Sequence, residues 1–201
     1  TAPTLTNGKT SSTGLFTVKS TTCYRFRLFR NGALPSPVVT RTYIYKDKTY
    51  PFPIISVVTD DRNLNSTEYG VFKEGPNGRS GRGSENDCNW NMSWDRPVSF
   101  EYITTDNECV ISQECDLSMC GGWSRSWSPH SFKLKASKTY DFQNFFAAQL
   151  FDKKPYIKSK TLQIRNGGNN VLTNGKIGGR IRDALQQQAV ARSGINIDYQ
   201  D

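Results

Sequence analysis

The residues best suited to chemistry in this chain lie in one run, Gly121-Gly122-Trp123-Ser124-Arg125-Ser126-Trp127-Ser128-Pro129-His130-Ser131-Phe132-Lys133-Leu134-Lys135. It reads as a strand ending in a glycine pair, a hydroxyl-rich loop with one arginine, and a strand whose alternation puts Lys133 and Lys135 on one face. Glycine lets backbone N–H groups approach an anion closely, and the arginine and lysines add positive charge. Such a cradle suits an anion such as a phosphate. The competing reading is a plain hairpin with solvated lysines, and the residue types alone leave both open.

Other candidate motifs fail on spacing. Gly8-Lys9-Thr10 ends like a phosphate-binding loop, but Pro3 stands where that loop needs its first glycine, and Asn7-Gly8 marks a turn. Asp61, Asn63 and Asn65 imitate the first ligands of a calcium loop, yet Ser66 replaces the required glycine and Phe72 the closing glutamate. Asx turns and a helix cap explain them better. His130 and Ser131 adjoin in the chain, which is not the spatial arrangement of a hydrolytic triad. Cys23, Cys88, Cys109, Cys115 and Cys120 are spaced too loosely for a zinc site, so no metal ligands are assigned. In an oxidising compartment they allow one or two disulfides with a leftover thiol, and the pairing stays open. The opposite strand parity of Cys115 and Cys120 argues against a direct bridge between them.

The positioning elements are mostly strands. Strand patterns cover 15–19, 22–30 and 38–45, with Asn31-Gly32 as a turn, and three such strands cannot cover each other on both sides. Further strands are expected at 54–59, 98–102, 110–119, 131–136 and 161–165. A polar segment spans 60–68, and a Gly/Pro/Asn/Ser-rich loop carrying Arg79 and Arg82 spans 75–84. One helix is expected from Gly179 to Ser193, stopped by Gly194, with Ile181, Ala184, Leu185 and Ala189 as an apolar stripe covering a sheet face.

With 201 residues the chain suits one or two domains; 35% hydrophobic, 12% aromatic and 22% charged residues describe a folded, polar-surfaced protein. No run approaches the roughly 18 apolar residues of a membrane helix, so no membrane-spanning segment is expected. Thr1-Ala2-Pro3 lacks a signal pattern, and any export signal is expected to have been removed already. The net charge of +8 is uneven. The first fifty residues carry eight lysines and arginines against Asp47 alone, whereas the rest of the chain is nearly balanced. Arg25, Arg27 and Arg41 alternate with apolar neighbours and are expected on a solvent-facing sheet side, which speaks against a nucleic-acid partner.

Several short motifs, in order over roughly residues 51–201, resemble the spore-coat-protein-H (CotH) family. They are Pro53-Ile54-Ile55-Ser56-Val57-Val58-Thr59-Asp60, Asn63-Leu64, Tyr69-Gly70-Val71-Phe72 and Trp94-Asp95-Arg96-Pro97-Val98-Ser99-Phe100-Glu101-Tyr102. Gly121-Gly122-Trp123-Ser124-Arg125, Ser131-Phe132-Lys133-Leu134-Lys135, Leu162-Gln163-Ile164-Arg165-Asn166-Gly167-Gly168-Asn169 and Arg182-Asp183 complete the set. The resemblance implies an α+β chain. Residues 1–48 are similar to the end of a chitobiase C-terminal-like β-sandwich module, and residues 49–201 to the N-terminal half of an atypical protein-kinase-like fold with a mixed sheet and few helices.

The same resemblance implies phosphotransfer from ATP to protein with Mg or Mn, in an extracytoplasmic, secreted or cell-surface bacterial protein. It makes Lys135 the candidate phosphate-binding lysine and Lys133 the second choice, with Gly121, Gly122, Ser124 and Arg125 as the loop over the phosphates. Pro129-His130-Ser131 departs from the family, which often carries lysines before the serine. The catalytic and metal-binding carboxylates are expected beyond Asp201, leaving this chain alone inactive. The alternative is a noncatalytic binding module for a surface or wall glycan, suggested by Trp90, Trp94, Trp123 and Trp127, of which at least two are expected in the core.

Overall fold

The computed structural model describes residues 1–45, 49–140, 143–151, 154–167, 172–173, 176–177 and 181–195. The Lys46-Asp47-Lys48 connector, Gly168-Asn169, Gly179 and Asp201 lie outside the described residues. In chain order the elements are β1 (Thr22–Phe26), β2 (Val39–Tyr43), β3 (Ile54–Val58), α1 (Asp61–Asn65), β4 (Glu74–Gly81), β5 (Ser84–Cys88), β6 (Asp95–Ile103) and β7 (Cys109–Met119). β8 (Phe132–Ala136), β9 (Thr161–Ile164), β10 (Leu172–Thr173), β11 (Lys176–Ile177) and α2 (Arg182–Arg192) follow. Strands dominate and helices are few, an α+β to mainly-β architecture.

Five strands form the central sheet in the order β3-β6-β7-β8-β9. Every pairing is antiparallel, where a mixed sheet was expected. Parallel neighbours need crossovers of about a dozen or more residues, whereas only 104–108 join β6 to β7. The two faces differ sharply. Val98, Cys115 and Ala136 lie in register across β6, β7 and β8, as do Leu117, Leu134 and Leu162 across β7, β8 and β9, and all six are buried on one face.

Val71, Cys88, Trp90 and Phe146 cover that face, Phe146 meeting Phe100 edge-on at 5.2 Å. The covering layer is α1, the β4–β5 hairpin, the 3-10 turn Asn89–Asn91 and the segment around Phe146, rather than a long helix. Residues 75–84, expected as a loop, are therefore mostly hairpin. Side-chain bonds replace apolar alternation in holding it: Ser80 N–H donates to Asp87 Oδ1, Asn91 Nδ2 to the Arg79 carbonyl, and buried Asn89 Nδ2 to the carbonyls of Thr67 and Gly70.

The other sheet face is polar, and β1–β2 lies on its β3–β6–β7 part. These two strands pair only with each other. The expected strand at 15–19 does not form; Phe16 instead packs its ring on Tyr24, Phe26 and Tyr43. The expected orientation of Arg25 is also overturned. The hairpin turns its polar side to the sheet, so the Arg25 side chain is only 19% exposed and pairs with Asp60 at 2.5 Å. Arg27 donates to the Ser36 carbonyl and Arg41 to Ser112 Oγ, while Phe26 and Val39 stay exposed. Alternation correctly separates two sides of a strand, but a polar sheet face selects the polar side.

The helix is another correction. Helix α2 buries none of its residues, and Ile181, Leu185 and Val190 are exposed, so it covers no sheet face. Two of the four stripe residues are alanines, which offer little apolar area to bury. An Arg165–Asp183 ion pair of 3.2 Å ties it to the end of β9.

Arg25→Ala is expected to cost about 1 kcal/mol and to speed amide exchange in β1–β2 more than in the five-stranded sheet, read by hydrogen exchange with mass spectrometry. Burial raises the Asp60 carboxyl, but the Arg25 hydrogen bond and charge, with the chain's amino terminus, outweigh it and bring the net value below the usual one. That stabilisation is present above the ordinary carboxylate range and is lost as pH falls through the depressed value, so hairpin protection should fall there. All five cysteines are free, with Cys23 and Cys109 exposed and Cys88, Cys115 and Cys120 buried. Burial, followed by the charges of Glu114 and Asp116, pushes Cys115 up to about 12. Iodoacetamide on the native chain should label Cys23 and Cys109 and spare Cys115.

Candidate functional site

The loop between β7 and β8 begins at Gly121, whose φ of +100° lies in the left-handed region; a Cβ there would stand 2.9 Å from Ser124 Oγ. A 3-10 turn, Trp123–Ser126, follows. Arg125 closes the turn: its Nε donates to the Gly121 carbonyl at 2.6 Å and its Nη1 to the Trp90 carbonyl at 3.2 Å. His130 Nδ1 donates to the Arg125 carbonyl at 2.7 Å, and its ring stacks on Phe72 with centroids 4.6 Å apart. Asn166, just past β9, locks the same loop. Its backbone N–H donates to Ser131 Oγ and its Nδ2 to the Ser124 carbonyl.

Lys133 and Lys135 stand on the opposite side of β8 from buried Leu134, both exposed on the part of the polar face that β1–β2 leaves open. Ser118, Lys133 and Gln163 share one cross-strand row, and Asp116, Lys135 and Thr161 the next. Tyr140 donates its hydroxyl to Asp116 Oδ1 at 2.7 Å, and burial together with that acceptor raises the phenol above its usual value. Burial also raises the Cys120 thiol, against the opposing charges of Lys133, Arg125 and Arg165.

Gly121, Gly122, Ser124 and Arg125 are therefore gathered around Trp90, His130 and Asn166, and Lys133 and Lys135 around Asp116 and Ser118. Among the described residues no hydrogen bond joins the two groups. The lysine face can hold an anion in the open, with Asp116 directly across from Lys135 competing for its charge. Sequence reasoning missed Trp90 and Asn166 as loop partners. Asn166 stood within a quoted motif, but nothing in the chain signalled its contact with Ser124, 42 residues away.

No family-wide sequence model, curated protein or solved structure matches this chain. The likeness to the CotH family rests on the short motifs themselves.

Asn166→Ala removes one of two donors to the Ser124 carbonyl, leaving the Trp127 N–H at 3.3 Å, and is expected to cost about 1 kcal/mol in urea denaturation. The exposed Trp123 should report the loosened loop through greater quenching by iodide, a change that stability loss elsewhere would not produce.

Proposed function

We propose that this chain supplies the phosphate-facing sheet of a CotH-like phosphotransferase that moves the γ-phosphoryl group of ATP to a protein hydroxyl. The observation carrying the reading is the exposure of Lys133 and Lys135 on the open face of β8, the strand that follows the glycine-begun loop after β7. Protein kinases join a glycine-rich loop and a strand lysine in an antiparallel sheet to the same end, with positioning and charge doing most of the catalytic work. Lys135 neutralises the phosphates and Lys133 assists from the next row. The divalent ion implied by the resemblance finds no assigned ligands, because among the described residues no three His, Cys, Asp or Glu side chains gather to hold one.

Calorimetric titration of the chain with ATP tests the reading. Lys135→Met keeps an unbranched apolar stem and the fold, and is expected to weaken ATP at least about tenfold, a loss of about 1.4 kcal/mol. Unchanged affinity in Lys135→Met would remove the lysine from the site, and absence of ATP binding would remove the reading.

A further inference from the structure

Around Arg125 the charges are not balanced. Its side chain is half-buried and bonds two carbonyls, yet among the described residues it has no carboxylate partner. The neighbouring charge is another cation. The β4–β5 turn, Gly81-Arg82-Gly83, packs against the Trp123–Ser126 turn so tightly that a Cβ on Gly83 would meet Ser126 Oγ at 2.7 Å and the Trp123 carbonyl at 2.8 Å. Gly83 has φ +89°, so glycine is required there on both counts. That contact brings Arg82 beside Arg125; burial first, and then Arg82, lower the proton affinity of Arg125. Arg82 itself is exposed and has no hydrogen bond or ion pair among the described residues.

Two arginines on touching turns, with no acid partner among the described residues, favour an anion near them: exposed Arg82 presents its planar fork, and Arg125, whose Nε and Nη1 already donate to carbonyls, adds its Nη2 edge. Flat apolar surface adjoins them. Trp123 is 72% exposed and Trp127 40%, and neither ring packs on another aromatic ring among the described residues. Ser124 and Ser126 lie between the two tryptophans in the chain, and Ser128 follows the second. Glu85 and Asp87 on the adjoining β5 strand limit the positive potential, so a dense polyanion such as nucleic acid would meet repulsion next to its first contact. A ring carrying one carboxylate would not.

We propose that the surface joining the β4–β5 turn to the Trp123–Trp127 loop binds an acidic glycan, with Arg82 and Arg125 holding a uronate carboxylate and Trp123 stacking against the sugar ring. The site does not use Lys133 or Lys135, and Arg125 is the one residue it shares with the loop that the resemblance places over the phosphates, so Lys135 separates the two readings. Aromatic rings give sugars a flat contact area at low conformational cost, and the paired guanidiniums supply selectivity for the acid form.

The test is calorimetric titration of the full chain with tetragalacturonate and with its fully methyl-esterified, uncharged form. Tetragalacturonate should bind, and esterification, Arg82→Gln and Trp123→Ala should each weaken binding at least about tenfold. Trp123→Phe should restore part of the loss. Arg82 and Trp123 are exposed, so unchanged thermal midpoints are expected for these variants. Lys135→Met should leave tetragalacturonate affinity unchanged, which separates this site from the nucleotide site. No binding of tetragalacturonate, equal binding of the ester, an unaltered Arg82→Gln, or displacement of the sugar by equimolar inorganic phosphate would each overturn the proposal.

Discussion

A single buried carboxylate governs how the parts of this protein fit together. Glu101, in the middle of β6, is only 2% exposed, yet it lies on the polar side of the sheet, away from the apolar core. A charge so placed must be met by donors. Its Oε2 accepts the Thr42 backbone N–H at 2.7 Å, and its Oε1 accepts Ser112 Oγ at 3.4 Å. Thr42 belongs to β2 and Ser112 to β7, so Glu101 links the amino-terminal hairpin to the sheet. Thr42 and Ser56 hydroxyls, 2.7 Å apart, extend the same seam. Among the described residues, buried Arg25 Nε and Thr40 Oγ1 in this seam have no hydrogen-bond partner. Burial also raises the Glu114 carboxyl against the pull of Ser99 and Arg25. Raised acids favour the folded state at low pH and lose that contribution as pH rises through the folded value, opposite in sign to Asp60.

Because the hairpin occupies only part of the polar face, the rest stays open, and that remainder holds Lys133 and Lys135. The covered and open regions arise from one cause. A sheet with one apolar and one polar face commits the apolar side to the core and leaves the other for docking or ligand contact. The two cationic features therefore have different origins. The lysines stand on an unclaimed sheet face, whereas Arg125 is held by a turn wedged against the covering layer.

That covering layer is unusual in being built largely from polar, irregular chain. Buried Asn89 satisfies the carbonyls of Thr67 and Gly70, which a helix would have satisfied internally, and buried Asn63 donates to the Thr59 hydroxyl and, at 3.5 Å, to the Pro97 carbonyl. Arg96 does similar work at the end of β6, donating twice to the Tyr69 carbonyl and lying over the rings of Tyr69 and Trp94. Trp90 anchors the layer to the loop through its carbonyl, although its Nε1 and Asn89 Oδ1 remain unpaired. This arrangement gives the β7–β8 loop a rigid floor, which explains how a turn rich in glycine and serine holds one conformation.

Much of the sheet was legible in the chain because alternation with period two follows from strand geometry itself. Val98 and Phe100 against Ser99 and Glu101, and Leu134 against Lys133 and Lys135, fall on opposite faces as their types demand. The glycine turn and the shared face of the two lysines were legible for the same local reason. Two expectations failed where the decision was not local. Arg25 turned inward because a distant acid, Asp60, and a polar sheet face awaited it. Helix α2 formed near its expected place, yet none of its residues is buried among the described ones, because amphipathicity supplies a stripe and not a partner. The gathering of Arg82, Arg125, Trp123 and Trp127 was likewise invisible, since the β4–β5 turn and the β7–β8 loop lie some forty residues apart in the chain. Local periodicity determines which side of each element is apolar; which sides meet is decided by complementarity between segments that only the folded chain brings together.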